Sequence, residues 1–224
     1  MFVAELFISL QGEGSLAGTP SFFIRTSGCN LRCRWCDTPY TSWRPEGWRL
    51  PVGELVRRVA EAGQRHVVIT GGEPLLQREL PQLCQRLKEL GHHVTVETAG
   101  TLAPDFQCDL LSVSPKTGNS DPQGSWGPRH QRLRRDLRPL ALLLRRHPNY
   151  QLKFVVQGER DLPEVLQVIE AVGADRERVF LMPEGKTAQE VSHVAAEVAR
   201  LCLLFGFRYS PRLHLDLFGP GRGV

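Results

Sequence analysis

The sequence lacks long hydrophobic runs, a secretion signal and a large excess of charge of either sign. Its longest apolar stretches, such as Leu140–Leu144, are far shorter than the ~18 residues that a membrane span requires. The segment Met1–Glu5 has neither the basic region nor the apolar stretch of a cleaved leader. We therefore predict a cytoplasmic protein with no membrane partner. The net charge of +4 is too small to indicate nucleic acid as a partner.

Cysteine is also scarce, with six residues in a chain of 224. A chain of this length buries enough surface on folding to need no disulfide, and the cytoplasm keeps thiols reduced. The six thiols are therefore expected to be metal ligands, reactive groups or small buried side chains. With 41% hydrophobic and 23% charged residues, the composition is that of an ordinary globular protein. We expect residues 1–224 to form a single domain.

The small charge excess is concentrated in one segment. Arginine recurs through Arg129–Arg146, beginning and ending the segment. These side chains could form the solvent-exposed face of a helix or a surface for an anionic partner. The sequence leaves both interpretations open.

Short β-branched and aromatic runs alternate with amphipathic stretches along the chain. The predicted strands are Ser21–Thr26, His66–Thr70, His93–Glu97, Leu110–Val113, Gln151–Val156, Arg178–Leu181 and Arg208–His214. The predicted helices are Val52–Ala62, Pro81–Leu90, Leu133–Arg146 with an interruption at Pro139, Leu162–Val172 and Ala188–Phe205. This alternation indicates an α/β fold with right-handed crossovers. The strands are too few for a closed eight-stranded barrel, so we expect a partial TIM-like βα barrel of about six mainly parallel strands. The polar segment Thr117–Gly127 predicts a loop within an insertion at about residues 117–147.

Three of the cysteines, Cys29, Cys33 and Cys36, have a C-x3-C-x2-C spacing. A structural zinc site normally has four ligands, and no second cysteine pair follows in this chain. A 4Fe–4S cluster held by three cysteines instead of four leaves one iron free to bind a small molecule. The spacing therefore favours a catalytic cluster in the loop at residues 27–40. The remaining cysteines, expected to be buried structural thiols, are Cys84, Cys108 and Cys202.

Polar and glycine-rich segments follow the predicted strands. In βα barrels the chemistry takes place at the carboxyl ends of the strands. Gly71 and Gly72 have no Cβ and let the backbone approach a ligand closely, and Glu73 beside them can pair with an ammonium group. The other segments of this kind are Glu97–Thr101, Ser114–Lys116 and Met182–Gly185. We expect all of them to border one site.

The cysteine spacing, with Trp35 just before the last cysteine, resembles the radical S-adenosylmethionine (SAM) superfamily. Gly71–Pro74 is similar to the methionine-binding motif of that superfamily. The resemblance implies a 4Fe–4S cluster on Cys29, Cys33 and Cys36 whose open iron binds SAM. It also implies that reduction of the cluster cleaves SAM and releases a 5′-deoxyadenosyl radical. The SAM contacts that it implies are Gly71, Gly72, Glu73, Ser114, Pro115, Lys116, Met182, Pro183, Glu184 and Gly185.

Further motifs resemble one family within the superfamily, the 7-carboxy-7-deazaguanine synthases. They are the Gln-Gly-Glu-Gly run Gln11–Gly14, the Cys-Asp-Thr run Cys36–Thr38 and the segment Arg212–His214, and the likeness covers nearly the whole chain. The resemblance implies a lyase that converts 6-carboxy-5,6,7,8-tetrahydropterin into 7-carboxy-7-deazaguanine and ammonia, in the biosynthesis of 7-deazapurines such as queuosine. In that reaction the radical removes hydrogen from C6 of the pterin and the ring then contracts. The resemblance also implies a Mg²⁺ ion bound by Thr38. The substrate contacts that it implies are Leu10, Gln11, Gly12, Glu13, Arg25, Thr70 and His214.

The chemistry of these residue types agrees with the implied substrate. Arg25 suits a bidentate grip on a carboxylate, and Gln11 and Glu13 offer the donors and acceptors that an amino-pyrimidinone edge requires. Mg²⁺ prefers oxygen ligands and keeps few protein ones, so Thr38 with substrate oxygens is a plausible shell. Asp37 is expected to point elsewhere.

Other activities stay open at this point. A glycyl-radical activase shares the cysteine spacing, and a zinc-binding module with its arginine-rich helix on nucleic acid is the alternative from a different class. A cluster of this kind requires an electron donor such as a flavodoxin, and the resemblance implies a homodimer. The tail after His214 departs from the family, so we assign no substrate role to Val224. The histidines expected to be structural are His66, His92 and His93.

Overall fold

Strands and helices alternate along most of the chain in the computed structural model, which describes residues 1–224. The strands are β1 Phe2–Leu10, β2 Pro20–Thr26, β3 Trp48–Arg49, β4 His66–Gly71, β5 His93–Thr98, β6 Leu110–Val113, β7 Tyr150–Val156, β8 Val179–Pro183 and β9 Arg208–Tyr209. The helices are α1 Pro39–Ser42, α2 Val52–Ala62, α3 Leu80–Glu89, α4 Gly127–Arg135, α5 Arg138–Arg146, α6 Leu162–Val172, α7 Ala188–Phe205 and α8 Leu213–Phe218.

All nine strands form one open sheet in the order β3-β1-β2-β4-β5-β6-β7-β8-β9. Seven neighbouring strands, β2 and β4 to β9, run parallel to one another, and the last of them is only two residues long. The predicted partial barrel of about six parallel strands is therefore confirmed. Because the strands are parallel, their carboxyl ends all lie at the same edge of the sheet.

The edges of the sheet differ from the prediction. Strand β1 was not predicted. It pairs antiparallel to β2 near the edge of the sheet. Most residues of β1 are only partly buried, so the strand has no clear apolar alternation. The predicted strand Arg208–His214 is wrong beyond Tyr209. Pro211 has no N–H for the sheet ladder, and the chain turns there into α8, which carries His214.

The predicted helix Leu133–Arg146 is two helices, α4 and α5. Pro139 lies in the first turn of α5, where its missing N–H would have no helical partner in any case. Pro139 thus begins a helix instead of interrupting one. The long helix α7 begins as predicted, because the Thr187 hydroxyl accepts the Glu190 N–H at 3.2 Å.

The core lies between the sheet and the helices and consists of 36 buried residues. Apolar strand residues such as Ile69 and Phe154 are wholly buried against helix residues such as Leu55 and Leu143. All six cysteines are free thiols. The structure has no helix with the length and hydrophobicity that crossing a membrane requires.

The arginines between Arg129 and Arg146 divide into unpaired and paired ones. Arg129, Arg132 and Arg135 are exposed at three-residue intervals on α4 and form no ion pair. Arg134 is buried and pairs with Asp121 and Glu164. Arg138 pairs with Asp136. Arg145 is exposed at the end of α5, a few residues before β7 begins, and therefore lies near the amino edge of the sheet.

Candidate functional site

The carboxyl ends of the parallel strands border one cavity, together with the cysteine loop and the C-terminal segment. The cavity brings together most of the residues singled out from the sequence: Leu10, Gln11, Gly12, Glu13, Arg25, Cys29, Cys33, Cys36, Thr38, Thr70, Gly71, Gly72, Ser114, Lys116, Met182 and His214. Five others do not line it: Glu73, Pro115, Pro183, Glu184 and Gly185. The site therefore has the composition that the strand ends predict, with a few side chains placed behind its wall.

The cysteine loop leaves β2 at Thr26 and returns into α1. The Gly28 N–H donates to the Thr41 carbonyl at 2.8 Å, and the Cys36 N–H donates to the Cys33 carbonyl at 3.3 Å. The Cys36 thiol lies 3.3 Å from the Ser42 hydroxyl. These bonds fold the loop so that all three cysteines face the same cavity.

The three thiols do not converge on a point that a single metal ion could occupy. A tetrahedral zinc site would require such convergence, since each Zn–S bond is only about 2.3 Å long. A multi-iron cluster is larger and is held by thiols that stand apart. The three thiols therefore form no single-ion zinc site in the structure.

Burial raises the pKa of the Cys29 and Cys33 thiols to about 12. Glu73 further raises the pKa of Cys29 through its negative charge, whereas Lys116 acts to lower the pKa of Cys33. Without a metal, these groups are neutral thiols at pH 7. Thiolates are the form that binds metal, so the compensating positive charge must come from the iron itself.

The Gly-Gly-Glu segment joins the end of β4 to the cysteine loop. A Cβ at Gly72 would overlap the backbone carbonyls of Gly28 and Thr41, so only glycine fits there. The Glu73 N–H donates to the Gly28 carbonyl at 2.9 Å. The Glu73 side chain is wholly buried.

The Glu73 carboxylate accepts hydrogen bonds from other groups of the protein and does not face the cavity. It accepts the Thr98 hydroxyl at 2.7 Å, the Ala99 N–H at 2.9 Å and the Leu75 N–H at 3.1 Å. Burial raises its pKa, and these three bonds act to lower it. Glu73 thus ties the end of β5 to the end of β4 behind the cavity wall.

The ends of β6 and β8 form the rim beside the cysteine loop. The Lys116 ammonium donates to the Ser114 hydroxyl at 2.7 Å and lies 5.2 Å from the Trp35 ring. Met182 reaches the cavity from β8. Glu184 and Gly185, which follow β8, line a second and separate cavity with Gln157 and His193 among others.

A buried ion pair network forms the side of the cavity away from the cysteines. The Lys153 side chain, only 3% exposed, lies 2.8 Å from Glu13 Oε2 and 3.2 Å from Glu97 Oε1. Burial acts to lower the pKa of Lys153, but the two carboxylates outweigh it and the pKa is raised. Burial acts to raise the pKa of Glu13, yet Lys153 and Arg212 hold it well below its usual range. Both groups are therefore charged at neutral pH.

Glu97 connects this network to two of the predicted substrate contacts. Its Oε1 atom accepts the Gln11 amide at 3.2 Å, and its Oε2 atom accepts the Thr70 hydroxyl at 2.8 Å. Because the carboxylate also accepts from Lys153, it fixes three side chains from β4, β7 and the segment after β1. Glu97 is the residue that gives the polar wall its shape.

Arg25 enters the cavity from β2. Its Nε donates to Glu5 at 2.6 Å, and its guanidinium lies 5.2 Å from the Phe7 ring centre. Tyr40 also donates to Glu5, at 2.8 Å. The terminal nitrogens of Arg25 have no protein partner, so they are available to an anionic ligand.

Asp37 and Arg212 close the cavity beside Thr38. Asp37 lines the cavity and pairs with Arg212, and the expectation that it points away from the magnesium shell stays a prediction. Burial acts to raise the pKa of Asp37, but Arg212 outweighs it and the pKa is lowered. Thr38 lies in the same wall, where its hydroxyl accepts that of Thr41 at 3.3 Å.

The C-terminal helix α8 presents His214 to the cavity. The Leu213 N–H donates to the Gly12 carbonyl at 2.9 Å, and a Cβ on Gly12 would overlap the His214 ring. Burial lowers the pKa of His214, so the ring is neutral at pH 7. Val224, to which no role was assigned, also lines the cavity.

Sequence reasoning missed several polar residues of this cavity. Lys153 gave a signal that was overlooked, because a single lysine within the apolar strand Gln151–Val156 must be paired when the strand is buried. Glu97 was noted at a strand end but not assigned. Arg212 and Asp37 are brought together only by the fold, since 175 positions separate them in the sequence.

Comparisons with known proteins agree with this geometry. The model of the radical SAM superfamily matches residues 23–143. A 7-carboxy-7-deazaguanine synthase from Rhodopirellula baltica is 41% identical over 100% of this chain and 89% of its own length. One from Halobacterium salinarum is 45% identical over 96% of this chain and 90% of its own length. The crystal structure of QueE from Escherichia coli superposes with a TM-score of 0.71 at 25% identity, over 95% of this chain and 94% of that one.

The open parallel sheet, the three-cysteine loop and the family match define the chain as a radical SAM enzyme. This class implies a 4Fe–4S cluster and SAM as cofactors. Within the class, the chain belongs to the 7-carboxy-7-deazaguanine synthase family. The family recognised from the cysteine spacing and the Gln-Gly-Glu-Gly run is therefore confirmed.

Proposed function

We propose that the chain converts 6-carboxy-5,6,7,8-tetrahydropterin into 7-carboxy-7-deazaguanine with release of ammonia, as a step toward 7-deazapurines such as queuosine. The observation that carries the proposal is the division of one cavity into two halves. Cys29, Cys33 and Cys36 border one half, and the buried polar set around Glu97 and Lys153 borders the other. A radical cofactor and a polar heterocycle would then meet within a single enclosed site.

The polar half has the groups that this substrate requires. The free terminal nitrogens of Arg25 are suited to the substrate carboxylate, which a guanidinium grips with two parallel bonds. Gln11 and Glu13 are suited to the amino-pyrimidinone edge, and Thr70 and His214 to the remaining polar atoms. Leu10 and Gly12 would contact the flat faces or edges of the ring through their backbone.

The cysteine half fits the cofactors of the class. Cys29, Cys33 and Cys36 would hold the 4Fe–4S cluster, which with SAM supplies a 5′-deoxyadenosyl radical that removes hydrogen from substrate C6. Gly71 and Gly72 line the cavity, where their backbone would contact the methionine part of SAM. We assign the further SAM contacts to Ser114, Lys116 and Met182, which line the cavity.

The remaining assigned SAM contacts lie behind or beside the cavity wall. Glu73 would act through the backbone that it fixes at Ala99 and Leu75. Pro115, Pro183, Glu184 and Gly185 would contact SAM through backbone atoms at the ends of β6 and β8.

Thr38 is the proposed protein ligand of Mg²⁺. Its hydroxyl oxygen lines the cavity and has only weak hydrogen-bond partners, the Thr41 hydroxyl at 3.3 Å and the Cys36 thiol at 3.9 Å. No set of three carboxylates or histidines converges on a metal position, as expected for an ion that takes most of its ligands from substrate and water.

The proposal includes the partners of the enzyme. The cluster requires an external electron donor, such as a flavodoxin, and the pterin is the small-molecule substrate. We expect a homodimer that works in the cytoplasm without a membrane or nucleic acid partner. The whole chain, residues 1–224, acts as one radical SAM domain with its cluster loop at 27–40 and an insertion at 117–147.

Anaerobic assay of the cluster-loaded chain tests the proposal. The protein is incubated with SAM, Mg²⁺, a chemical reductant and the carboxy-tetrahydropterin, and the products are analysed by mass spectrometry. We expect 7-carboxy-7-deazaguanine and one equivalent of ammonia. Cluster-loaded protein that cleaves SAM but makes no deazaguanine would refute the substrate assignment.

A variant separates the proposed magnesium ligand from a structural role. Thr38→Ala is expected to raise the Mg²⁺ concentration required for half-maximal activity by about tenfold while iron content is unchanged, because one oxygen ligand is lost. Thr19→Ala, which lies outside the cavity, is the matched control. Loss of iron from Thr38→Ala would mean that Thr38 supports the cysteine loop instead.

A further inference from the structure

The outer face of the cysteine loop carries positive charge that no carboxylate neutralises. Arg34 is exposed, and its Nε donates only to the Asn119 backbone carbonyl, at 2.6 Å. Arg32 donates only to the carbonyls of Cys29 and Leu31, each at 2.7 Å. Both arginines flank Cys33 in the sequence. The loop that holds the cysteines therefore presents two unpaired guanidinium groups at its surface.

Aromatic rings lie beside the loop, and one of them contacts both Arg32 and a third arginine. The guanidinium groups of Arg32 and Arg129 lie 4.2 Å and 5.4 Å from the centre of the Trp126 ring. Arg129 is exposed on the first turn of α4. Trp43, 39% exposed, donates its indole N–H to the Cys33 carbonyl at 3.1 Å. We name Arg32, Arg34, Trp43, Trp126 and Arg129 the basic–aromatic surface.

Two carboxylates near this surface are neutralised by ion pairs: Asp37 pairs with Arg212, and Asp121 pairs with Arg134. Glu184 near Arg34 and Asp161, which accepts from the Asn119 amide, form no ion pair. Arg32, Arg34 and Arg129 outnumber these two carboxylates. The net charge presented beside the cysteine loop is therefore positive.

We propose that the basic–aromatic surface is the docking site of an acidic one-electron carrier protein. The inference rests on the proposed function, because a cluster on Cys29, Cys33 and Cys36 requires an electron from outside. One electron would pass from the reduced carrier to the cluster, so that the carrier is oxidised by one electron and the cluster is reduced by one. No proton or chemical group moves in this step.

Three properties of the surface favour a protein carrier over other occupants. Arginine and tryptophan are the residues that contribute most to protein–protein binding energy. Complementary charge accelerates the encounter of two proteins and orients them. The surface is built on the cluster loop itself, so a docked carrier would lie as close to the cluster as the chain allows. Arg132 and Arg135 continue the exposed cations of α4 beyond Arg129. A nucleic acid could also bind cations of this kind, but only an electron carrier needs to bind beside the cysteine loop.

Charge reversal at two positions tests the docking site. Arg34→Glu, Arg129→Glu and the double variant are loaded with cluster and reduced either by photoreduced flavodoxin or by titanium(III) citrate. Cluster reduction is followed by the electron paramagnetic resonance signal of rapidly frozen samples, and flavodoxin binding is measured by calorimetry. Arg145→Glu changes the net charge as much as either single variant, at the opposite edge of the sheet, and is their control; Arg145→Glu with Arg146→Glu is the control for the double variant. Arg32 is left intact because it bonds the backbone beside Cys29.

We expect flavodoxin to reduce the double variant about tenfold or more slowly at low salt, with a Kd raised by a similar factor. Wild-type reduction should slow as salt is added, and the variant should lose most of that dependence. With titanium(III) citrate, all variants should be reduced within about twofold of the wild type. Arg145→Glu should match the wild type with both reductants.

Three outcomes would overturn the inference. Equal slowing with titanium(III) citrate would show that the arginines shape the cluster site. Equal slowing in Arg145→Glu would show an effect of net charge alone. Unchanged reduction by flavodoxin, with loss of transfer RNA binding in the double variant, would assign the surface to nucleic acid. Failure of the proposed function is distinguishable, because an enzyme that makes no deazaguanine still yields these reduction rates.

Discussion

Most charged residues of the cavity form ion pairs with one another before any ligand binds. Lys153 lies between Glu13 and Glu97, and Arg212 pairs with both Asp37 and Glu13. Paired and buried ions cannot turn toward bulk water, so the polar half holds its geometry while the substrate is absent. The cost of ordering these side chains is met during folding and not during binding.

Removal of the Lys153 ammonium should lower the stability of the folded chain. Lys153→Met would leave Glu13 and Glu97 buried without their shared partner, and we expect the free energy of unfolding to fall by about 3 kcal/mol or more. Lys88→Met, which breaks the half-exposed pair with Asp109, should cost about 1 kcal/mol or less. Denaturant titration of both variants measures the difference. Equal losses would mean that the buried network contributes nothing beyond a surface pair.

Substitution of the connecting carboxylate should affect the reaction more than the cofactors. In Glu97→Gln, the bonds from Gln11, Thr70 and Lys153 would lose their charged acceptor, each worth about 1.5–3 kcal/mol. We expect kcat/KM for the pterin to fall about 100-fold, with iron content and reductive SAM cleavage unchanged. Glu61→Gln on the exposed face of α2 is the control. An unchanged kcat/KM would contradict the role given to Glu97.

At the scale of elements, helix α4 and the segment that joins it to β6 hold the cysteine loop from outside. The Arg32 N–H donates to His130 at 3.1 Å, and the Arg34 N–H donates to the Ser120 carbonyl at 3.0 Å. The Trp35 indole donates to Asn119 at 3.2 Å. The predicted insertion is therefore a support for the cluster loop, and His130, wholly buried, is its central residue.

Loss of this support should loosen the cluster. His130→Ala removes the acceptor of the Arg32 N–H between the first two cysteines, and we expect a chelator to extract iron about tenfold faster, because a buried N–H without a partner costs about 1–3 kcal/mol. His193→Ala, at an exposed position on α7, should behave as the wild type. Visible absorbance during chelator treatment follows the loss. Identical rates in the two variants would show that the loop holds its shape unaided.

Element types were predictable where the pattern is long and repetitive, and less so at the ends of the sheet. The six longer parallel strands and α2, α3, α6 and α7 follow from apolar periodicity. The edge strand β1 and helix α8 do not, because neither is buried on a regular face. The position of His214 in the cavity was predictable only from the family resemblance, whereas its helical setting depends on the contact between α8 and Gly12.

For the molecule as a whole, the titration of histidines sets the acid limit of stability. Burial lowers the pKa of His66 and His214, and lowers that of His130 to about 4. Unfolded histidine has a pKa of about 6.5, so below that pH the unfolded chain binds more protons. Stability is therefore full above about pH 6.5 and falls as the pH decreases, by about 1.4 kcal/mol per pH unit for each proton.

A single substitution should reduce this slope. His130→Asn keeps a donor and an acceptor but cannot take up a proton, so we expect it to lose less stability than the wild type between pH 6.5 and pH 4.5. Chemical denaturation at several pH values measures the slope of stability against pH for both proteins. A lower absolute stability of the variant does not affect the comparison of the two slopes. Parallel curves would mean that His130 is protonated as easily in the folded chain as in the unfolded one.

The site as a whole was predictable in its outline and not in its internal connections. Motifs that are contiguous in sequence, such as Cys29–Cys36 and Gly71–Gly72, could be assigned because spacing alone carries their chemistry. The pairs Lys153–Glu13 and Arg212–Asp37 could not be assigned, since they join positions 140 and 175 residues apart. Which carboxylates face the cavity and which, like Glu73, support its wall depends on side-chain directions that only the folded chain defines.

The tryptophans described around the cysteine loop have an optical consequence. Of the four tryptophans in the chain, Trp35 lies in the loop, Trp43 bonds the Cys33 carbonyl and Trp126 stacks on Arg32. Only Trp48, on β3 at the sheet edge, lies apart from it. Iron–sulfur clusters absorb broadly across the near ultraviolet, so a bound cluster would quench the fluorescence of these three tryptophans by energy transfer. The intrinsic fluorescence of the protein would then be a label-free gauge of cluster occupancy, dim in the loaded enzyme and bright when iron is lost.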